Sequence, residues 1–440
     1  MNTQNNLPNI IVVGNGEYVS GYNDSVSNNN SDKKKGVILI TLLDLKRRKL
    51  INEIIICGRS NTKLEKIKQY FNENIQEYDN LKAIEYKIFA DDTLKDKSYE
   101  KLFEMHKDTN TYVIIATPDD THYNIINKAI ECNLNCLITK PVVKIYDDHL
   151  KLIKLLNEKN EKNKNKITVA VEMHKRWDPI YVNAKNKIKK FGKFSYFTSY
   201  MSQPKYQLDT FKWISDKSSD ISYYLNSHHI DYNIWAIEDQ LKDLKQIKIS
   251  AVKSSGYVNN KFNKKTDDIE DTITIFVEWI FNDYTAHSIY TSSWIAPTSD
   301  VHSQQRFFYM GQQGEINIDQ AHRGYTFADD NGLKSVNPLF MNYDKNDHNQ
   351  FVGQDGYGYK SIEAFIQSNT KINNNHNYIT DSIANLDSNP QILTTLILEA
   401  GRNSLDNDNK WLIYDIKYIN SEFNITKHRK RKQLSSCNSS

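Results

Sequence analysis

Short apolar runs alternating with helical periodicity dominate the first 180 positions. Residues 10–13 (IIVV), 54–57 (IIIC), 113–116 (VIIA), 136–138 (CLI) and 167–171 (ITVAV) are runs of the kind that fill strands buried on both faces, and residues 84–89 predict one more strand. Between them, residues 37–50 and 62–71 carry helical spacing, the first ending on Lys46, Arg47, Arg48 and Lys49, whose charge suits a helix C-terminus. Thr117, Pro118, Asp119 and Asp120 stop the run at 113–116 with turn chemistry and an N-cap, and Ile125, Ile126, Ala129 and Ile130 then share one helical face. The run at 136–138 leads into Thr139-Lys140-Pro141. This is a βαβ unit with an amine at its exit, at the carboxyl end of a strand, where open parallel sheets bind ligands.

Beyond about Gly192 the pattern changes to aromatic and β-branched alternation. Residues 194–201, 246–252, 272–279, 288–294, 306–310 and 315–318 predict strands of a mostly antiparallel sheet, with helices at 222–237, 360–368 and 391–405. The expected architecture is α/β, a Rossmann-type nucleotide-binding domain followed by an α+β domain. Residues 1–145 form the dinucleotide-binding core, completed by 146–180. Residues 181–415 form a substrate and oligomerisation domain, and 416–440 a basic, polar, disordered tail. The polar tract at 158–166 (EKNEKNKNK) is read as a solvated loop.

Composition narrows the function. The chain has 440 residues, long enough for two cores, and a net charge of +3 that implies no nucleic-acid face. Four cysteines, Cys57, Cys132, Cys136 and Cys437, lack paired metal spacing, which fits a reduced, cytoplasmic protein with no metal centre. The first residues lack a signal pattern and no apolar run approaches the ~18 residues of a membrane span.

The candidate chemistry begins at Gly14-Asn15-Gly16, where two glycines after a strand permit a tight turn and close approach of backbone N–H groups to a pyrophosphate. Val19 holds the place of the third glycine of GxGxxG, and a polar insertion follows at 23–36. At the end of the second strand, Gly58 and Arg59 stand where a carboxylate would face the ribose hydroxyls of NAD. Arg59, with Ser60, Thr62 and Lys63, offers donors to a 2′-phosphate, so NADP(H) is expected over NAD(H).

Thr117-Pro118, His122, Thr139-Lys140-Pro141, the segment His174 to Pro179 and the element His228 to Asp231 together resemble the Gfo/Idh/MocA oxidoreductases, over roughly residues 8–415. The passages ITKP, VEMHKRWDP, SYMSQPK, DISYYLNSHHID, AHRGY and GYGY are most similar to the D-galacturonate reductase subgroup. The resemblance implies an open-faced second sheet, cofactor contacts from Gly14, Gly16, Thr117, Pro118, His122, Lys140 and Pro141, and Lys140 as the catalytic lysine. It also implies reduction of the C1 aldehyde of D-galacturonate or a related uronate to the aldonate. The alternatives are a dehydrogenase of a neutral sugar, inositol or dihydrodiol, and a non-catalytic sensor of the same fold. Two positions depart from the family pattern: Thr139 precedes the lysine in place of glutamate, and Tyr224 stands four before His228 in place of aspartate, leaving the proton donor open.

On this reading Lys140 assists protonation, His228 supplies or relays the proton at physiological pH, and Tyr224, one helical turn earlier, binds the same oxygen. His174, Lys175 and Arg176, with His229 and Asp231, are the substrate-binding candidates, Arg176 through a bidentate grip on a carboxylate or, equally, as a structural partner of Asp178 or Glu172. Lys205, His322 and Arg323 are secondary candidates, and the aromatics at 196–200 and 307–309 are read as sheet packing. The expected partners are a small uronate or sugar and a second copy of the chain on the open sheet face, without nucleic acid or membrane.

Overall fold

The computed structural model describes residues 7–23, 33–209, 219–261, 269–297, 301, 303–330, 332–335, 337–370, 380–419 and 422–427. The first half builds β1 (Asn9–Val13), α1 (Glu17–Ser20), α2 (Ile38–Arg47), β2 (Ile54–Cys57), α3 (Asn61–Asn74), β3 (Lys87–Phe89), α4 (Ser98–Met105), β4 (Thr111–Ile115), α5 (His122–Glu131), β5 (Asn135–Thr139), α6 (Tyr146–Lys162), β6 (Val169–Glu172) and α7 (Pro179–Ile188). The second half adds β7 (Phe194–Pro204), a π turn (Ser222–Asn226) running into α8 (Ser227–Ala236), β8 (Leu244–Ser255), α9 (Tyr257–Lys261), β9 (Glu270–Phe281), β10 (Thr285–Ala296), β11 (Gln304–Gly311) and β12 (Gly314–Asp319). Then come the hairpin β13 (Thr326–Asp329) and β14 (Gly332–Ser335), α10 (Tyr357–Asn369), β15 (Ala384–Asn385), α11 (Asn389–Leu405), β16 (Leu412–Ile419) and β17 (Glu422–Lys427).

The first sheet runs β3-β2-β1-β4-β5-β6-β15, parallel except for β15. The order reverses direction between β1 and β4, and that switch point opens a crevice at the carboxyl ends of both strands. Alternate strand residues feed two cores. Ile10, Val12, Ile54, Ile56 and Ile114 pack under α2 and α3, while Ile11, Val13, Ile55, Val113 and Ile115 pack under α4, α5 and α6. The second sheet runs β12-β11-β7-β10-β9-β8-β16-β17 and is antiparallel except for the β7–β10 pair. One of its faces carries α7, α8 and α11 over Phe197, Ile249, Ile275, Trp279, Tyr290 and Phe307. The aromatics Phe197, Phe307 and Tyr309 are buried in that core.

Several boundaries differ from expectation. Helix α6 continues through Lys162, taking in most of the polar tract read as a loop, because a helix needs only one apolar face and His149, Leu152 and Leu156 supply it. The division at 415 falls inside β16, and β16 and β17 extend the second sheet into the region expected to be a tail; residues 428–440 lie outside the described residues. The domains also interleave. Phe340, Phe351, Tyr357, Ile362 and Phe365, from a segment assigned to the second domain, complete the core under the first sheet. Between that segment and the sheet, residues 38–45 of α2 are buried all round, including Asp44, which accepts from Tyr359 Oη (2.5 Å) and Arg47 Nη2 (2.7 Å). Cys57, Cys132 and Cys136 are buried free thiols, and among the described residues no helix is long and apolar enough to cross a membrane.

Candidate active site

The crevice at the switch point is the mouth of a cleft of about 1000 Å³ that runs from the β1 loop past the ends of β2, β4 and β5 to the inner edge of the second sheet. At its start Gly14 has φ +118°, and a Cβ there would lie 2.1 Å from the Ala116 carbonyl oxygen, so only glycine lets the β1 and β4 turns touch. Gly16 caps α1, whose single turn is complete before the polar insertion begins. The chain leaves at Gly21 (φ +77°) and returns at Val37, whose amide donates to Tyr18 O (2.8 Å). The insertion therefore interrupts a helix after its first turn and leaves the glycine turn short; residues 24–32 lie outside the described residues.

Arg59, Lys63, Lys95 and Lys97 line the far end, with the exposed Arg59 guanidinium 3.3 Å from Asp96. The glycine cradle, the basic far end and the cleft volume fit a dinucleotide, whose pyrophosphate Gly14, Gly16 and the α1 amides would hold. Ser60 is outside the lining.

Lys140 stands at the end of β5, before a cis peptide bond to Pro141. Its Nζ donates to the Tyr224 carbonyl and lies 4.1 Å above the centre of the Tyr224 ring, which stacks on Trp294 at 5.3 Å. Desolvation pulls the ammonium down to about 8, partly opposed by Asp119. Asp119 was not anticipated. It is buried, lines the cleft and accepts from Ser219, and its carboxyl is raised by burial.

Across the cleft lie His174, Lys175 and His228. Lys175 is buried, donates to the carboxamide oxygens of Gln305 and Gln320, and is brought down by desolvation to about 7. Among the described residues no carboxylate is within ion-pair distance of it. His228 stacks on His174 with centroids 5.9 Å apart, and its Nδ1 is buried without a partner. Burial and the charges of Lys140 and Lys175 push His228 well below the ordinary histidine range. Its expected role changes accordingly: a ring held neutral relays a proton but does not supply one as an imidazolium.

Six expected contacts lie outside the lining: Ser60, His122, Pro141, Arg176, His229 and Asp231. His122 is a clasp, with Nδ1 2.8 Å from the Pro141 carbonyl and Nε2 3.0 Å from the Thr117 carbonyl, joining the two turns that carry Thr117 and Lys140. Arg176 grips Asp231 through Nε (3.0 Å) and Nη2 (2.7 Å), so its partner is neither a substrate nor Asp178 or Glu172. Asp231, three residues past His228, points into the core, where Gln391 also donates to it (2.5 Å). His229 is buried against Tyr181 Oη (3.0 Å). Of the secondary candidates, Lys205 sits over the Tyr257 ring, His322 pairs with Asp319 and Arg323 with Asp178.

Other lining residues were given no role by the sequence, although Gln203 and Tyr357 lie in passages that carry the resemblance. Tyr18, Gln203, Ser303, Gln305, Gln320, Phe340 and Tyr357 come from six separate segments, and no local spacing links them. Glu172, within the VEMHKRWDP passage, was given a role only as a possible partner for Arg176.

Comparison with known proteins bears on the fold. Residues 9–166 match the Gfo/Idh/MocA oxidoreductase family, NAD-binding Rossmann fold. An uncharacterized oxidoreductase of Schizosaccharomyces pombe is 27% identical over 142 residues, which cover 31% of this chain and 37% of that protein, so the chain matches little more than a third of that relative's length. Scyllo-inositol dehydrogenase from Lactobacillus casei with bound NAD(H) and scyllo-inositol superposes with a TM-score of 0.60 at 13% identity, covering 93% of this chain and 99% of that one. Myo-inositol 2-dehydrogenase from Lactobacillus plantarum gives 0.58 at 14%, covering 93% and 100%. Residues 9–166 therefore match the nucleotide-binding domain of the Gfo/Idh/MocA oxidoreductase family, and the chain as a whole, a Rossmann domain joined to a mostly antiparallel sheet domain, has the fold of the dehydrogenases it is similar to.

Proposed function

We propose that the protein is an NADPH-dependent reductase of the C1 aldehyde of D-galacturonate or a related uronate. The observation that carries this reading is Lys175, a buried ammonium whose hydrogen bonds among the described residues go to neutral carboxamides, in the same cleft as Lys140. A desolvated cation with no carboxylate at ion-pair distance among the described residues favours an anionic ligand, and a sugar carboxylate supplies that charge. Lys175 thus takes the part that the sequence assigned to Arg176.

A bound nicotinamide dinucleotide supplies the hydride. Lys140, charged below about pH 8, places positive charge and a donor at the oxygen on which negative charge develops. Tyr224 fixes that ammonium through its carbonyl and its ring face, and His228, neutral beside it, relays protons. The four cations Arg59, Lys63, Lys95 and Lys97 support the phosphorylated dinucleotide, whose 2′-phosphate would replace Asp96 as the partner of Arg59.

The test is steady-state oxidation of NADPH and NADH with galacturonate, glucuronate and galactose. Turnover of uronates over galactose, abolished in Lys140→Ala while the dinucleotide still quenches protein fluorescence, is expected. No turnover of any uronate or aldose would sink the reading. Equal use of NADH and NADPH, unchanged in Arg59→Ala, would reject the cofactor preference. A second reading, oxidation of a neutral cyclitol, draws on the fold likeness to inositol dehydrogenases and on Lys175 losing its charge near pH 7. Reduction of NAD⁺ or NADP⁺ with inositols in the same assay separates the two.

A further inference from the structure

Tyr18, Glu172 and His174 form a hydrogen-bonded chain that none of the roles above uses. Tyr18 belongs to α1, the turn that follows the glycine loop, and Glu172 and His174 leave the end of β6. The Tyr18 hydroxyl donates to Glu172 Oε1 (2.8 Å) and is 2.8 Å from His174 Nε2. Glu172 is buried, and the same oxygen accepts from Ser361 Oγ (2.8 Å) and lies 3.4 Å from His174 Nε2. Burial and the neighbouring carboxylate raise the Tyr18 phenol well above its ordinary value, so it keeps its proton.

Proton counting fixes the direction of this chain. An ionised carboxylate only accepts, so the single phenolic proton goes to Glu172 and the phenol oxygen must accept from the ring. Nε2 of His174 therefore carries a hydrogen, and in the neutral ring Nδ1 is left with a free lone pair. Nδ1 has no hydrogen-bond partner among the described residues, and His174 lines the cleft with Lys140, Lys175 and His228. The charged and titratable groups around the ring are Glu172 and Lys175 from its own segment, Tyr18 from α1, His228 from α8, Tyr357 from α10, and Lys140.

We propose that His174 is a catalytic residue that exchanges the substrate proton at Nδ1, with Tyr18 and Glu172 as the residues that position it. The proposal rests on the oxidoreductase reading above. In the oxidising direction the alcohol O–H bond breaks, its proton forms an N–H bond at Nδ1 and its electron pair becomes the second carbonyl bond. The carbon gives up its hydride to the oxidised nicotinamide dinucleotide. In the reducing direction the Nδ1–H bond breaks, its proton joins the carbonyl oxygen as the carbon gains hydride, and Glu172 stabilises the imidazolium that precedes it. The buried Glu172 thus supplies to His174, through Tyr18, the carboxylate that Tyr224 does not supply to His228.

The test combines ¹⁵N NMR of the histidine side chains with kinetics. In the wild type His174, assigned by its loss in His174→Gln, should carry its neutral-state proton on Nε2, and Tyr18→Phe and Glu172→Gln should shift it toward a mixture of tautomers. His174→Gln and His174→Ala should lower kcat by about 10²–10⁴-fold with KM changed only a few-fold. Both should still quench fluorescence on adding dinucleotide, and added imidazole should restore part of the His174→Ala rate. A neutral-state proton on Nδ1, or turnover in the His174 variants near that of the wild type, overturns the proposal while leaving the oxidoreductase reading intact. Absence of turnover by the wild type with every alcohol and carbonyl tried overturns both.

Discussion

Two neighbouring basic residues, Lys175 and Arg176, separate by environment. Lys175 faces neutral carboxamides, whereas Arg176 is locked to Asp231 with both side chains almost fully buried. Lys175→Met should raise KM for galacturonate about tenfold or more while leaving a neutral sugar unchanged, since a charge-assisted hydrogen bond contributes about 1.5–3 kcal/mol. The pH dependence follows from its sign. A lysine brought down to about 7 is charged below that pH and neutral above it, so KM for a uronate should rise as pH increases through 7, an effect absent in Lys175→Met. Arg176→Leu should instead leave substrate affinity alone and lower stability by about 3–5 kcal/mol in urea unfolding, because it strands a buried carboxylate. The sequence placed both residues in one basic cluster. It could not divide them, because neighbours in the 3₁₀ turn that follows β6 project in different directions and the partner of each lies at least 55 positions away.

At the scale of elements, the short turns after β1, β4 and β5 decide what the cleft can hold. Gly14→Ala should abolish dinucleotide binding, measured by fluorescence titration, because the new methyl would meet the Ala116 carbonyl in a backbone region that disfavours side chains. His122 was expected to touch the cofactor, yet it joins two of these turns. His122→Phe should cost about 1–3 kcal/mol for the carbonyls it leaves unpaired and lower kcat by displacing Lys140, with dinucleotide affinity little changed. Apolar periodicity located the strands β1 to β12 and the larger buried helices, since burial on one or two faces writes itself into local sequence. It missed the helices α4 and α7, the short elements α1, α9, β13, β14 and β15, the π turn at Ser222–Asn226, which no local pattern encodes, and β16 and β17, whose polar positions hide their alternation.

For the whole molecule, the decisive feature is the return of the chain to its first domain. Phe340, Phe351, Tyr357, Ile362 and Phe365 cover α2 and one face of the first sheet, so a fragment of residues 1–180 would expose that surface. Such a fragment is expected to aggregate or bind a hydrophobic dye and to bind no dinucleotide, while the full chain unfolds with its two sheets coupled; a soluble, dinucleotide-binding fragment would contradict this. By itself the sequence determined the parallel first sheet, the glycine turn, the place of Lys140 at a strand's carboxyl end and the change to an antiparallel second half, because those are set by residues within a few positions of one another. Only the tertiary structure decided that Lys175 and not Arg176 faces the cleft, that His228 is held neutral, and that Tyr18, Glu172 and His174 meet. Those outcomes depend on which distant groups desolvate or pair a side chain, and that is set by packing between segments more than fifty residues apart.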